Sequence, residues 1–129
     1  MASVTLDQSR LVMLRMFTEA ERAEIVGGML ATTERLLTSI AGLIEAGDLS
    51  HAAEDAHRGR NEALVVGAAE LGDAFAALED AGRKAHSILA RAALGRLQAL
   101  WPPTRTAVRR LLAESQQGVQ SGDGLGTID

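Results

Sequence analysis

Groups able to act as nucleophiles or to bind metal are scarce in this chain. It has no cysteine and three histidines, His51, His57 and His86, so thiol nucleophiles, disulfides and thiolate metal sites are excluded together. Each histidine falls in a segment with helical apolar spacing. His51 and His57 sit six apart in the run HAAEDAH, which on a helix turns them to different faces, and neither HExxH nor any cysteine accompanies them; metal binding is a poor fit. The Gly27-Gly28 pair lies inside a helical pattern and does not follow a strand, so no phosphate-cradling loop is expected there.

His57 differs from the other two in its surroundings. At about 100° per residue it lies at the edge of an apolar arc, beside Leu64 and Leu71, with Arg60 and Asn61 at i+3 and i+4 on its own face. An imidazole that accepts a phosphoryl group needs a reachable nitrogen, a nearby cation to balance the added charge, and donors for the phosphate oxygens. Arg60 and Asn61 could supply the last two, and Glu54 at i−3 could hold a ring N–H and fix the tautomer. The plain alternative for these residues is a solvated helix face with an ordinary ion pair.

The elements that must position His57 follow from apolar spacing. Asp7 to Phe17 can form a short helix presenting Leu11, Met13, Leu14 and Met16. Thr18 and Glu21 have the spacing of a capping box, and Val26, Met29, Leu30, Thr33, Leu37, Ile40 and Ile44 then recur at steps of three and four along about seven turns. Gly47-Asp48 ends that helix, with Asp48 or Ser50 able to cap the next. A second helix is predicted from about Ser50 to Glu79 with Leu49, Ala53, Ala56, Ala63, Leu64, Gly67, Leu71, Ala74 and Leu78 on its arc, Gly67 allowing close approach of a neighbour. Gly82 marks a turn; Leu89, Ala93, Leu97 and Leu100 form a third stripe; Trp101-Pro102-Pro103 should break it. A last helix at about Pro103 to Ser115 buries Val108, Leu111 and Leu112.

Composition agrees. Of 129 residues 47% are hydrophobic but only 2% aromatic, which favours a packed helical core over sheet or disorder. The expected fold is all-α, an antiparallel four-helix bundle with a short additional N-terminal helix, spanning 1–116, followed by a disordered glycine-rich tail at 117–129. A net charge of −4 and the lack of stacking aromatics argue against nucleic acid as a partner. No apolar run approaches a membrane span and the first residues lack a signal-peptide core, so no membrane partner and a cytoplasmic location are expected.

The stretch GDLSHAAEDAHRGRNEALVVGAAELGDAFAALE resembles the histidine-containing phosphotransfer (Hpt) domains of two-component phosphorelays. Gly47 and Asp48 precede His57 by ten and nine residues, Ala56 stands directly before it, Gly67-Ala68 and Leu71 follow, then Leu78-Glu79. Arg60 occupies the position where the family usually has lysine. Asn61 replaces a small residue, usually glycine, and Gly59 an apolar one. The run His57-Arg58-Gly59-Arg60-Asn61 is also similar to the H-R-x-K-N box in the dimerisation helices of some sensor histidine kinases. Such kinases need a separate ATP-binding domain, for which this chain has no room.

The first resemblance implies a phosphorelay intermediate, in which His57 accepts a phosphoryl group from a kinase or a receiver aspartate and passes it on. Arg60 would offset the phosphate charge, with Asn61 and Glu54 beside it. Arg58, Glu62 and Leu64 would border a transient docking surface for a response-regulator receiver domain or a histidine or hybrid kinase. No intrinsic cofactor or metal is implied, because Mg2+ would come with the receiver. An Hpt module should be monomeric. A kinase-like dimerisation protein would be a homodimer, and a non-catalytic adaptor would bind receivers without exchange.

Overall fold

Thr18 starts the first long helix as its spacing with Glu21 predicts. The Thr18 hydroxyl accepts from the Glu21 backbone N–H at 3.1 Å, and the Glu21 carboxylate accepts from the Thr18 N–H at 2.8 Å, so each side chain satisfies the other residue's otherwise open N–H at the helix start. The computed structural model describes the backbone of residues 4–128 and the side chains of residues 4–114. Over these residues the chain forms α1 (Gln8–Met13), a 3-10 turn (Leu14–Met16), α2 (Glu19–Glu45), α3 (Leu49–Val65), α4 (Ala69–Arg83) and α5 (Ser87–Ile128), with no strand.

Helices α2 to α5 form an antiparallel four-helix bundle. Each packs on its chain neighbour, and α5 returns against α2 to close the ring. The stripe expected on α2 is buried at Val26, Met29, Thr33, Ile40 and Ile44, joined by Leu36, with Leu30 and Leu37 half-buried at its flank. Gly47 adopts a left-handed φ of 78° after α2, and the Asp48 carboxylate accepts from the His51 N–H at 3.2 Å to cap α3, as the Gly-Asp pair suggests. Before the bundle, Leu6 and Leu14 enter the core, while Met13 and Met16 are exposed.

One break falls where the spacing did not place it, and one expected break does not occur. The helix expected from Ser50 to Glu79 is two helices reversed at Val66-Gly67-Ala68. Gly67 takes a φ of 69°, its carbonyl accepts from the Asp7 N–H at 2.7 Å, and a Cβ on it would lie 2.7 Å from the Asp7 carbonyl oxygen. The apolar stripe continues in register across this turn, which hides it from periodicity.

Conversely, α5 runs straight through Pro102 and Pro103, where a break and a new helix were expected. Leu97, Trp101, Thr104 and Val108 form one buried stripe across the prolines, while Pro102 is exposed and Pro103 half-buried. Burial of that stripe outweighs a propensity cost of about 3 kcal/mol per proline. The Thr104 and Thr106 hydroxyls donate to the carbonyls of Leu100 and Pro102 at 2.7 and 3.1 Å.

Smaller corrections follow from the same packing. Gly82 lies inside α4, where the lack of a side chain leaves room for the Leu49 carbonyl. The turn falls instead around Ala85, with a φ of 53°. Leu89 is exposed, and Ala90 begins the buried stripe of α5. The tail at 117–129, expected to be disordered, has its backbone in α5 as far as Ile128, and its side chains lie outside those described.

Candidate functional site

The three histidines have different local roles. The His51 ring is 2.6 Å from the Asp48 carboxylate in the α3 cap; that bond raises the His51 pKa, with help from Glu54 and Asp55. The His86 ring nitrogen Nδ1 accepts from the Leu89 N–H at 3.3 Å, at the start of α5. His57 is the one whose ring reaches across to another helix. Its Nδ1 is 2.9 Å from Oε2 of Glu79 on α4.

This contact is possible because α3 and α4 approach closely. Ala52, Ala56, Gly59 and Ala63 on α3 and Ala74, Phe75, Leu78 and Gly82 on α4 are all buried, and the two helices pack directly on each other. The Phe75 ring lies over Gly59, in space a Cβ would fill, and Gly82 presses on the α3 backbone at Leu49. Small residues therefore bring the two backbones near enough for a histidine on one helix to meet a glutamate on the other.

Glu79 is the centre of the cluster. Its side chain is 7% exposed, whereas that of His57 is 51% exposed. The Arg83 guanidinium, one turn on in α4, stands 2.5 Å from Glu79 Oε2, and that of Arg60 on α3 is 4.0 Å from Oε1. One buried carboxylate thus faces two guanidiniums and an imidazole, which leaves a local surplus of positive charge at the surface. An ionised carboxylate only accepts hydrogen bonds. The proton of this bond is therefore on Nδ1, and whenever the ring is neutral its lone pair is on Nε2, which has no partner among the described residues.

The other residues singled out by sequence are distributed around this cluster. Arg60 joins it. Glu54 does not hold the His57 ring; it is exposed, acts on His51 through space, and lines a cleft of about 560 Å³ with Asp48, Ser50 and Arg83. Asn61 and Arg58 are exposed and Leu64 is 36% exposed. Glu62 is half-buried toward α2, where burial raises its carboxyl pKa against the opposing pull of Arg35.

Glu79 and Arg83 were not anticipated as site residues. On one unbroken helix Glu79 would stand 22 residues, about 33 Å, from His57. The turn at Gly67 is what folds it back. In the sequence the turn is marked only by a glycine set between two alanine-rich arcs; its positive φ is visible in the structure alone.

Among the described residues no group of three or more histidines or carboxylates is arranged to hold a metal ion, and no helix is long and apolar enough to cross a membrane. Comparison with protein-family models, curated proteins and solved structures finds no match for this chain.

Proposed function

We propose that this protein is a histidine phosphotransfer module, a phosphorelay intermediate and not a stand-alone kinase, with His57 as the phosphoryl acceptor. The observation that carries the reading is the His57–Glu79 pair: one ring nitrogen is held by a buried carboxylate while the other is directed away from that bond on a half-exposed ring. A nucleophile whose tautomer is fixed by a carboxylate is the general arrangement for an activated imidazole.

In the proposed step the Nε2 lone pair attacks the phosphorus of an aspartyl phosphate on a receiver domain. The N–P bond forms as the P–O bond to the aspartate breaks, and the leaving carboxylate keeps the electron pair. The Nδ1 proton stays on the ring, which becomes cationic, and Glu79 stabilises that charge. Arg60 and Arg83, both within reach of Glu79, supply positive charge for the phosphoryl oxygens, and exposed Asn61 adds donors beside them. Mg2+ and the remaining charge stabilisation belong to the receiver. The reverse step passes the group to a second receiver. Leu64, two turns along α3, provides an apolar anchor, and Arg58 and Glu62 lie at the rim of the docking surface of a monomeric, cytoplasmic module.

The test is incubation with a phosphorylated receiver, followed by detection of an acid-labile, base-stable phosphate on this chain. Labelling should vanish in His57→Gln and fall in Arg60→Ala with the helical circular dichroism unchanged. Labelling retained by His57→Gln would overturn the assignment. Receiver binding without exchange would identify a non-catalytic adaptor instead.

A further inference from the structure

Half of the large apolar side chains that are exposed among the described residues fall within one short stretch before α2. Val12 is 52%, Met13 54%, Met16 83% and Phe17 43% exposed. The stretch is not loosely attached. Leu14 on its inner side is buried, Leu11 is half-buried against the core, and the Asp7 N–H donates to the Gly67 carbonyl at 2.7 Å. The outer face is therefore held in place by the bundle.

Its charge is as distinctive as its apolarity. Between Asp7 and Glu19 the chain has Arg10 and Arg15 and no acidic residue. Both arginines are exposed and neither forms a salt bridge among the described residues. The flanking acids are engaged: Asp7 accepts from Ser9, and Glu19 pairs with Arg22 at 3.8 Å. A locally cationic, apolar tip thus projects from a chain whose net charge is −4.

We propose that this tip docks the protein on an anionic lipid surface. The valine, methionine and phenylalanine side chains grouped at 12–13 and 16–17 need no shaped pocket and can enter the headgroup boundary, while Arg10 and Arg15 meet lipid phosphates. The acidic remainder is repelled by the same surface, which orients the molecule tip-first. Lying on a membrane requires no spanning segment, so the absence of one, from which no membrane partner was expected, does not bear on this surface.

The experiment is co-sedimentation of the full chain with vesicles of phosphatidylcholine, with and without about one part in four of phosphatidylglycerol, a composition chosen to give a negative surface potential. The expected result is pelleting with the anionic vesicles only, lost in about 0.5 M salt, where exposed charges are screened. Arg10→Glu/Arg15→Glu and Met16→Ser/Phe17→Ser change only exposed side chains, and each pair should weaken binding about tenfold or more, since a few such contacts carry the attachment. His57→Gln should pellet like the wild type, which separates this proposal from the phosphotransfer reading. Equal recovery with neutral and anionic vesicles, or no recovery with either, would overturn it. So would self-association abolished by Met16→Ser/Phe17→Ser, which assigns the face to a second copy, or loss of receiver binding in that variant without vesicle binding, which assigns it to a protein partner.

Discussion

The seam between α3 and α4 and the one between α5 and α2 lie on opposite sides of the bundle and are built on different principles. At the first, glycine and alanine let the backbones approach until Phe75 rests on Gly59 and Gly82 meets the Leu49 carbonyl. At the second, a large side chain spaces the helices: Trp101 is buried and its Nε1–H donates to Glu34 at 2.6 Å, with Arg105 3.6 Å from the same carboxylate. The difference shows why the candidate site stands where it does. Only a close seam brings a histidine on one helix within hydrogen-bond reach of a buried glutamate on the next. The glycines divide in the same way, since a Cβ on Gly28 or Gly42 of α2 would meet nothing within 4 Å.

The largest expected effect comes from forcing the close seam apart. Gly59→Ala places a methyl group in the volume of the Phe75 ring, which is fully buried and cannot swing out to solvent. The expected loss is about 3 kcal/mol, the upper part of the overpacking range, measured by urea denaturation. Phosphotransfer should fall as well, because the displaced helices carry His57 and Glu79. Phe75→Leu in the same chain should restore part of both, whereas the two changes would simply add if Gly59 and Phe75 were not in contact.

That seam also marks the limit of what the sequence discloses. The capping box at Thr18 and Glu21, the Gly47-Asp48 turn and the α2 stripe were legible because each is set by residues within four positions of one another. The turn at Gly67 was not, since what demands it is the Asp7 backbone some sixty residues earlier in the chain, a partner that spacing cannot disclose. Pro102-Pro103 misled for the complementary reason: a local penalty was outweighed by the buried stripe through Trp101 and Val108. The two errors offset in the number of helices while moving Glu79 and Arg83 from a remote position to the side of His57. His57 and Arg60 share one helix and could be read together, but Glu79 could not be joined to them.

At the opposite seam the effects should be smaller. Trp101→Phe keeps an aromatic ring but removes the donor to Glu34, at an expected cost of about 1.5 kcal/mol for a bond to a half-exposed carboxylate. Because the two seams are separate, its effect on phosphotransfer should be absent. A rate that falls with Trp101→Phe as it does with Gly59→Ala would mean that general loss of stability, and not seam geometry, controls the site. Gly28→Ala should reverse the sign seen at Gly59. With open space around it and a mid-helix position, it should stabilise by about 1 kcal/mol through helix propensity alone, visible as a rise in Tm.

The smallest expected effect concerns the end of the close seam, where Asp48 and His51 cap α3. Hydrogen bonding to the His51 N–H and ring holds the Asp48 carboxyl below its usual range, and the bond to Asp48 raises His51 above the ordinary histidine value. For His51, the raised folded-state value means that its contribution is complete below the ordinary histidine range and is lost as pH rises through the raised pKa. For Asp48 the sign is opposite: the contribution is complete above the ordinary carboxylate range and is lost as pH falls through the lowered pKa. The pair therefore adds most at about pH 5 to 6, between the two ranges. The difference in Tm between the wild type and His51→Gln should peak there and shrink toward a pH above the raised His51 pKa, where the imidazole is neutral. An undiminished difference at that pH would mean that His51 acts on the cap through packing and not through charge, while the Asp48 bond to the backbone N–H would hold α3 in place either way.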